Sequence, residues 1–450
     1  MGIAAKTFRG GIHPLHHQHH GKNLTDHKPI EAAPVPGVVV IPMAQNIGAP
    51  AKVCVQVGDV VAMGQKIGEA GGFVSVPVHA SVSGRVAAIE PRPCASGAKA
   101  LCVVIENDGL DTRFAGLPGP VSLDELEPEQ ICQRIMEAGI VGMGGAAFPT
   151  HVKLKVPEGK HVDTLLINGA ECEPFLTADH RLMVERPMEV VLGVRALMKA
   201  LQVTRAYIGI EVNKPDAIDT MQKAVRDVPG VEVTPLKVKY PQGGEKQLIS
   251  AILGREVPSG GLPMEAGVVV QNVGSAGAIG RMLSDGMPLV ERVVSITGYG
   301  VKEPRNLSCR IGTSFEFLIE HCGGFTGEPG KVISGGPMMG IAQYDLGVPV
   351  VKGTSGILVL PEEKTDGEEG PCIRCGRCVE ACPIHLMPLM LSAYQQAGNI
   401  DMCESYHALD CMECGSCSYV CPSKRYLVQA IRTAKRQIIA NRKKAEGGRG

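Results

Sequence analysis

The sequence predicts a multidomain chain of the α/β plus β class, and three observations predict it. Two cysteine runs of identical spacing sit near the end. Strand-like and helix-like segments alternate through the middle. The first hundred residues are dense in valine and glycine with short alternating runs. At 450 residues there is room for about three domains of ordinary size, and 44% hydrophobic against 20% charged residues is a globular composition. A net charge of −1 implies no nucleic-acid or strongly acidic partner. Gly 56 and Pro 32, with only 4% aromatic residues, predict many turns and short strands. No stretch reaches the ~18 apolar residues of a spanning helix, and no apolar signal core opens the chain. A soluble chain, or one held at a membrane by other subunits, is expected.

The cysteine runs read Cys372-x2-Cys375-x2-Cys378-x3-Cys382-Pro383 and Cys411-x2-Cys414-x2-Cys417-x3-Cys421-Pro422. This is the spacing of two-cluster ferredoxins, in which three thiolates of one run and the fourth of the other hold each cubane. It assigns one 4Fe–4S cluster to Cys372, Cys375, Cys378 and Cys421, and the other to Cys411, Cys414, Cys417 and Cys382. A zinc ribbon needs two separated CxxC pairs and has no use for the third and fourth cysteines. The other eight of the sixteen cysteines are scattered and read as free thiols of a reducing compartment. Residues 372–450 thus form an α-helical, two-4Fe–4S ferredoxin-like domain for one-electron transfer.

Residues 1–36 are a His-rich segment with His13, His16, His17, His19, His20 and His27. A solvated polar stretch is the plain reading; imidazoles also bind zinc, copper or nickel. Residues 37–120 alternate in short valine strands with Gly-Asp turns, which predicts a small all-β sandwich or barrel. The string VQVGDVVAMGQKIGEA with ASVSGRV resembles the barrel-sandwich fold of biotinyl and lipoyl carriers. Where those carriers place a hairpin lysine, this chain has Glu69-Ala70-Gly71-Gly72-Phe73, so a structural or docking role is expected. Residues 107–121 read as a linker, and Leu123 to Gly139 has helical periodicity.

Within residues 121–290 a glycine loop, Gly142-Met143-Gly144-Gly145, precedes Lys153. Such a loop lets backbone N–H groups approach a phosphate. The strand Val162 to Ile167 ends at Asn168-Gly169-Ala170-Glu171-Cys172-Glu173, and polar residues at strand C-termini are where open α/β sheets bind ligands. Further strands are expected at 206–210, 231–238 and 268–270, with helices over 186–201 and 214–227. A second glycine loop, Gln242-Gly243-Gly244-Glu245, enters a helix. The alternation argues for a parallel nucleotide-binding sheet, although G-x-G-x-x-G is absent.

The segments GMGGAAFPTHVK, NGAECEPF, YPQGGEKQL and VVVQNVGS are similar, in order, to the flavin- and NADH-binding segments of the complex I 51-kDa subunit family. The resemblance implies a Rossmann-like FMN/NADH domain. By position it nominates Gly142, Gly144, Gly145, Lys153, Asn168, Gly243, Glu245 and Asn272 for FMN, and Glu171 and Glu173, with Phe148, for NADH. Two positions depart from that family: Ala170 stands in place of an aspartate, and Gly244 in place of the first of two glutamates. Residues 291–345 resemble the β-grasp (SLBB) domain that follows the flavin domain in that family. Residues 346–371, with the acidic string EEKTDGEEGP, read as a linker. The basic end, SKRYLVQAIRTAKRQIIANRKKAEGGRG, has Tyr426, Ala430, Ala434 and Ile438 on one helical face. Such a helix either caps the cluster domain or meets a membrane or an acidic subunit.

This order of domains, with the opening FRGGIHP, resembles the RnfC family of Rnf electron-transport complexes over nearly the whole chain. The resemblance implies an electron-transfer subunit of an ion-translocating NAD/ferredoxin oxidoreductase. It implies bound FMN, two 4Fe–4S clusters, NADH as substrate, and membrane and cluster-bearing partner subunits, with ferredoxin met indirectly. Placement is then peripheral, at the cytoplasmic face of the bacterial cell membrane. No catalytic acid or base is expected, because the flavin carries the hydride chemistry. Two other readings stand beside it: a soluble relative associated with proline or cobalamin reductases, and a non-catalytic iron–sulfur relay that has lost its flavin.

Overall fold

The computed structural model describes residues 4–362 and 368–447. Most of the acidic string at 363–367, and the side chains of His16 and His17, lie outside the described residues.

The N-terminal β unit is the expected two-sheet sandwich. One sheet orders the strands Val38–Pro42, Lys99–Asn107, Gly84–Pro93 and Val60–Val61, and the other Lys52–Val53, Lys66–Glu69 and Val78–His79. The alternation works as read, since Val39 and Ile41 are fully buried and Val38 exposed. The lysine-free hairpin presents Phe73 to solvent, with the Lys155 ammonium 5.3 Å from its ring. The unit is not a tethered arm. Val39 and Ile67 share one continuous core with Ile131, Leu165 and Val194 of the next unit. Buried Lys352 donates to the carbonyls of Pro77 (2.7 Å) and Gly139 (2.8 Å), joining three units at one point.

The central unit is a four-stranded parallel sheet. Its strands are β1 (Thr164–Gly169), β2 (Ala206–Glu211), β3 (Val231–Leu236) and β4 (Val268–Asn272), in the order β3-β2-β1-β4. Their near-continuous apolar runs are those of strands covered on both faces. The covering helices include α1 (Ala178–Glu185), α2 (Pro187–Leu201), α3 (Glu245–Leu253) and α4 (Val273–Asp285). Ahead of them, the helix expected over 123–139 begins only at Pro128, after a capping box between Glu127 and Gln130.

The third unit is larger than 291–345. Its six-stranded sheet orders Ile30–Ala32, Arg305–Arg310, Glu291–Thr297, Gly356–Pro361, Pro329–Ser334 and Ile341–Gln343. The stretch 346–371 is therefore not only a linker. Gly356–Pro361 runs through the middle of the sheet, with Ile357, Leu358 and Val359 fully buried. Acidic EEKTDGEEGP directly follows this apolar run and masks it in the sequence. The His-rich segment, read as a polar lead, likewise adds the edge strand Ile30–Ala32 to the same sheet.

The cluster unit is helical. Between the cysteine runs lie Pro388–Gln396 and Ile400–Ser405, parted at Gly398-Asn399, where Asn399 caps the second. The final helix, Leu427–Gly447, buries Leu427, Val428, Ile431, Ala434 and Ile438 against this unit. Tyr426, placed on that face by periodicity, precedes the helix and is exposed. Cys403 lies wholly inside this core.

Candidate functional site

β1 and β4 run side by side with Asn168 opposite Asn272 at their C-terminal ends. β2 flanks β1 on the other side, so strand order reverses here, at the crevice where open parallel sheets take ligands. Asn168 donates from Nδ2 to the Gly243 carbonyl (2.8 Å) and accepts the Ala170 N–H (3.1 Å). Asn272 caps α4 by accepting the Gly274 N–H (2.7 Å) and donates to Asp179 (2.7 Å).

The glycine loop closes on itself through the Gly142 N–H and Phe148 carbonyl (2.7 Å). Gly144 takes φ +72°, and a Cβ there would lie 2.8 Å from the Asn272 amide nitrogen. A Cβ on Gly243 would lie 3.1 Å from that of Asn168, and Gly145 opens on free space. Lys153 forms an ion pair with Glu245, the first residue of α3, and donates to the Val270 carbonyl (3.3 Å). The fold thus gathers the eight FMN-type positions named by the sequence from four separate segments. Backbone N–H groups, one ammonium and two side-chain amides suit a phosphate and a polar ring edge. Thr150 Oγ1, Gln242 Nε2 and both amide atoms of Gln271, from these same segments, are buried with no partner among the described residues. These residues fit a polar cofactor.

Glu171 and Glu173 are placed differently. Glu171 accepts the N–H groups of Asp179 (2.7 Å) and His180 (3.1 Å) at the start of α1. Glu173 accepts those of Met338 (3.1 Å) and Met339 (2.9 Å), tying the crevice to the third unit. Both carboxylates keep some surface, yet protein surrounds them. Desolvation pushes each up to about 7 against the N–H donors and nearby cations. Nothing in the sequence singles out Lys22. Its ammonium, buried and lowered to about 8 mainly by desolvation, donates to the carbonyls of Glu171 (2.7 Å), Glu173 (2.9 Å) and Leu176 (2.6 Å). A lysine in a run of histidines reads as one more polar residue; its three acceptors come from ~150 positions away.

Both family departures have a packing cause. Ala170 is fully buried in a cluster with Phe8 and Leu166, and its carbonyl accepts Lys214 (2.7 Å). A Cβ on Gly244 would lie 2.8 Å from the Met412 methyl carbon, within the second cysteine run. A side chain there would crowd the Gln247 amide and the tip of Met412, so both would have to shift.

The cysteine runs fold as two copies of one loop. Arg374 and Glu413 take φ of 55° and 60°, Gly376 and Gly415 both take 79°, and His385 and Lys424 take 57° and 50°. A four-residue helix follows each glycine, Arg377–Glu380 and Ser416–Tyr419. Cys372, Cys375, Cys378 and Cys421 line one cavity, and Cys382, Cys411, Cys414 and Cys417 another. Among the described residues, no three His, Cys, Asp or Glu side chains gather as a single metal ion would require. A cubane presents a different iron to each of its thiolates, so four cysteines around a shared void fit it. The His-rich segment likewise forms no ion site among the described residues; His13, His19 and His20 line a separate cavity with Lys22, His180 and Lys214.

The two cavities stand differently toward the crevice. Around the second, Tyr240 Oη donates to the Cys414 carbonyl (2.9 Å) and Gln247 Nε2 to the Pro383 carbonyl (3.0 Å). FRGGIHP completes this junction: the Gly11 N–H reaches the Ala381 carbonyl (3.1 Å), and a Cβ on Gly10 would lie 2.8 Å from the Cys382 oxygen. Around the first cavity, Cys372, Ile373, Arg374 and Cys375 are exposed.

Comparison with known families and proteins divides the chain in the same order. Residues 6–110 match the RnfC barrel sandwich hybrid domain and residues 135–281 the Nuo51 FMN-binding domain. Residues 293–342 match the SLBB domain and residues 371–425 a 4Fe-4S dicluster domain. The chain is 52% identical over 445 residues to the C component of the Na(+)-translocating ferredoxin:NAD(+) oxidoreductase complex of Acetobacterium woodii, covering 99% of this chain and 100% of that one. It is 50% identical over 437 residues to the proton-translocating counterpart of Clostridium ljungdahlii (96% and 93%). It is 43% identical over 401 residues to the corresponding component of the ion-translocating oxidoreductase complex of Rhodobacter capsulatus (88% and 76%). Among solved structures, an NAD+-reducing [NiFe]-hydrogenase gives a TM-score of 0.46 at 16% identity, covering 64% of this chain and 57% of that one.

Proposed function

Because this chain belongs to the RnfC family of ion-translocating ferredoxin:NAD(+) oxidoreductase components, we propose that it is the NADH-side subunit of such a complex, with its internal electron path ordered by the fold. In this reading Gly142, Gly144, Gly145, Lys153, Asn168, Gly243, Glu245 and Asn272 hold FMN. Cys382, Cys411, Cys414 and Cys417 hold the proximal cluster, and Cys372, Cys375, Cys378 and Cys421 the distal one. When bound, the flavin supplies two-electron chemistry with NADH and one-electron chemistry with the clusters. The protein's own work is positional. The loop N–H groups and Lys153 receive the phosphate, with Glu245 giving up its ion pair as they do so. Asn168 and Asn272 fix the ring edge at the strand ends. Glu171 and Glu173 hold the crevice wall in place, so their part in NADH binding is to shape it.

The observation that carries this reading is the junction. Tyr240 and Gln247, from the crevice loop and the helix it enters, hydrogen-bond to Cys414 and Pro383, and Gly244 leaves room beside the tip of Met412 that a Cβ would fill. These neighbours border the second cavity. The distal cavity is left at the surface for the next subunit. No described helix is long and apolar enough to cross a membrane. In this reading the chain sits peripherally at the cytoplasmic face, held by membrane and cluster-bearing partners.

Anaerobically purified and reconstituted protein tests the proposal. Bound FMN, about eight irons per chain and flavin bleaching by NADH are expected. Clusters without flavin or NADH response would sink it and leave the relay reading.

A further inference from the structure

The two cysteine cradles share a backbone and differ in charge. Among the described residues, the distal cavity is lined by Arg374, Arg377 and Arg425 and by no acid. Arg374 and Arg377 are exposed, and Glu369 stands 3.9 Å from Arg425. Among the described residues, the proximal cavity has no charged lining; Ile384, Leu386, Met412, Val428 and Ile431 help complete it. Arg432 and Lys435 are each 2.7 Å from Glu413, which offsets one of their two charges, and Lys435 also donates to the Cys411 carbonyl (2.7 Å) at the cavity edge.

Reducing a thiolate-held cluster adds one negative charge, so nearby cations and water favour the reduced form and an apolar wall opposes it. Charge and exposure therefore act together to separate the two centres. The N–H groups of Leu386 (3.3 Å from Cys382 Sγ) and Glu413 (3.4 Å from Cys411 Sγ) work in the other direction at the proximal site. They are partial charges against the Arg374 and Arg377 guanidinium groups and an Arg425 that Glu369 partly offsets. On the ligand assignment proposed above, we infer that Arg374, Arg377 and Arg425 hold the midpoint potential of the distal cluster above that of the proximal one. The pair then forms a downhill step from crevice to surface. In that step one electron leaves the proximal cluster, oxidising it by one unit, and reduces the distal cluster by one; no proton moves and no bond breaks.

The test is an EPR-monitored redox titration of the full-length reconstituted protein. Wild type is compared with the double variant Arg374→Gln/Arg377→Gln and with Arg425→Gln, each checked for iron and sulfide content. Two separate midpoints are expected, with the arginine variants lowering the higher and leaving the lower in place. Coincident midpoints, no shift, or a shift of the lower midpoint would overturn the inference. Cys382→Ser reports on the ligands separately. Loss of the low-potential centre supports both readings. Loss of the centre that the arginine variants move means the crossed ligand set fails while the arginine effect stands.

Discussion

Lys22 shows how much one side chain can hold. Its ammonium satisfies three carbonyls of the loop between β1 and α1. Lys22→Ala leaves those acceptors buried and unpaired, at about 1–3 kcal/mol for each group left unsatisfied. Faster hydrogen exchange over 170–177 and weaker flavin retention are expected; unchanged exchange would contradict the role. Glu173 makes a second case. Its folded pKa, pushed up to about 7, lies above its ordinary value of 4.5. The native state therefore binds the proton more tightly than the unfolded chain. Any stability this group contributes is present below pH 4.5 and lost as pH rises through about 7. From about pH 5 to 8, measured as melting temperature, wild type should lose stability relative to Glu173→Gln. A constant difference would rule out the raised pKa. These roles were not legible in the sequence, where Glu171 and Glu173 read only as ligand contacts. Their partners, the N–H groups of α1 and of Met338-Met339, are set by tertiary structure.

Among the elements, the parallel sheet was the most legible. Its four strands are short apolar runs, three of them ending at Asn168-Gly169, Glu211 and Asn272, and each lies within about two residues of its expected position, because strands buried on both faces need such runs. The strand Gly356–Pro361 is not legible for a local reason: its apolar run adjoins an acidic one and merges with it in the pattern. The junction between crevice and cluster unit is not legible either, since Tyr240 and Gln247 meet partners 174 and 136 positions away, and Gly10, Gly11 and Gly244 read as loop residues. Gly244 can be tested directly. Gly244→Glu restores the acid of the 51-kDa family but drives a side chain into Met412, an overpacking worth about 1–3 kcal/mol. Stopped-flow should find NADH bleaching of the flavin retained and cluster reduction slowed. Unaltered cluster reduction would mean that Met412 yields freely and the junction does not govern transfer.

At the scale of the molecule, the continuous core and the three-way lysine Lys352 bind the β sandwich, parallel sheet and six-stranded sheet into one support. The cluster unit has a smaller core, built partly from its own cysteines. Burial pushes the Cys411 and Cys417 thiols up to about 11 and about 12. Thiolate ligands give up their protons to bind iron, and binding at a site of this kind is coupled to folding. Anaerobic removal of iron should raise hydrogen exchange across 372–447 while the sheets stay protected; equal protection with and without iron would contradict this.

The ordering of the two clusters is the claim on which the rest depends. Rapid freeze-quench EPR of Cys382→Ser after mixing with NADH tests it most directly. The flavin should be reduced at the wild-type rate while the cluster of Cys372, Cys375, Cys378 and Cys421 stays oxidised. Reduction of that cluster as fast as in wild type would show that electrons reach it without passing the cradle of Cys382, Cys411, Cys414 and Cys417.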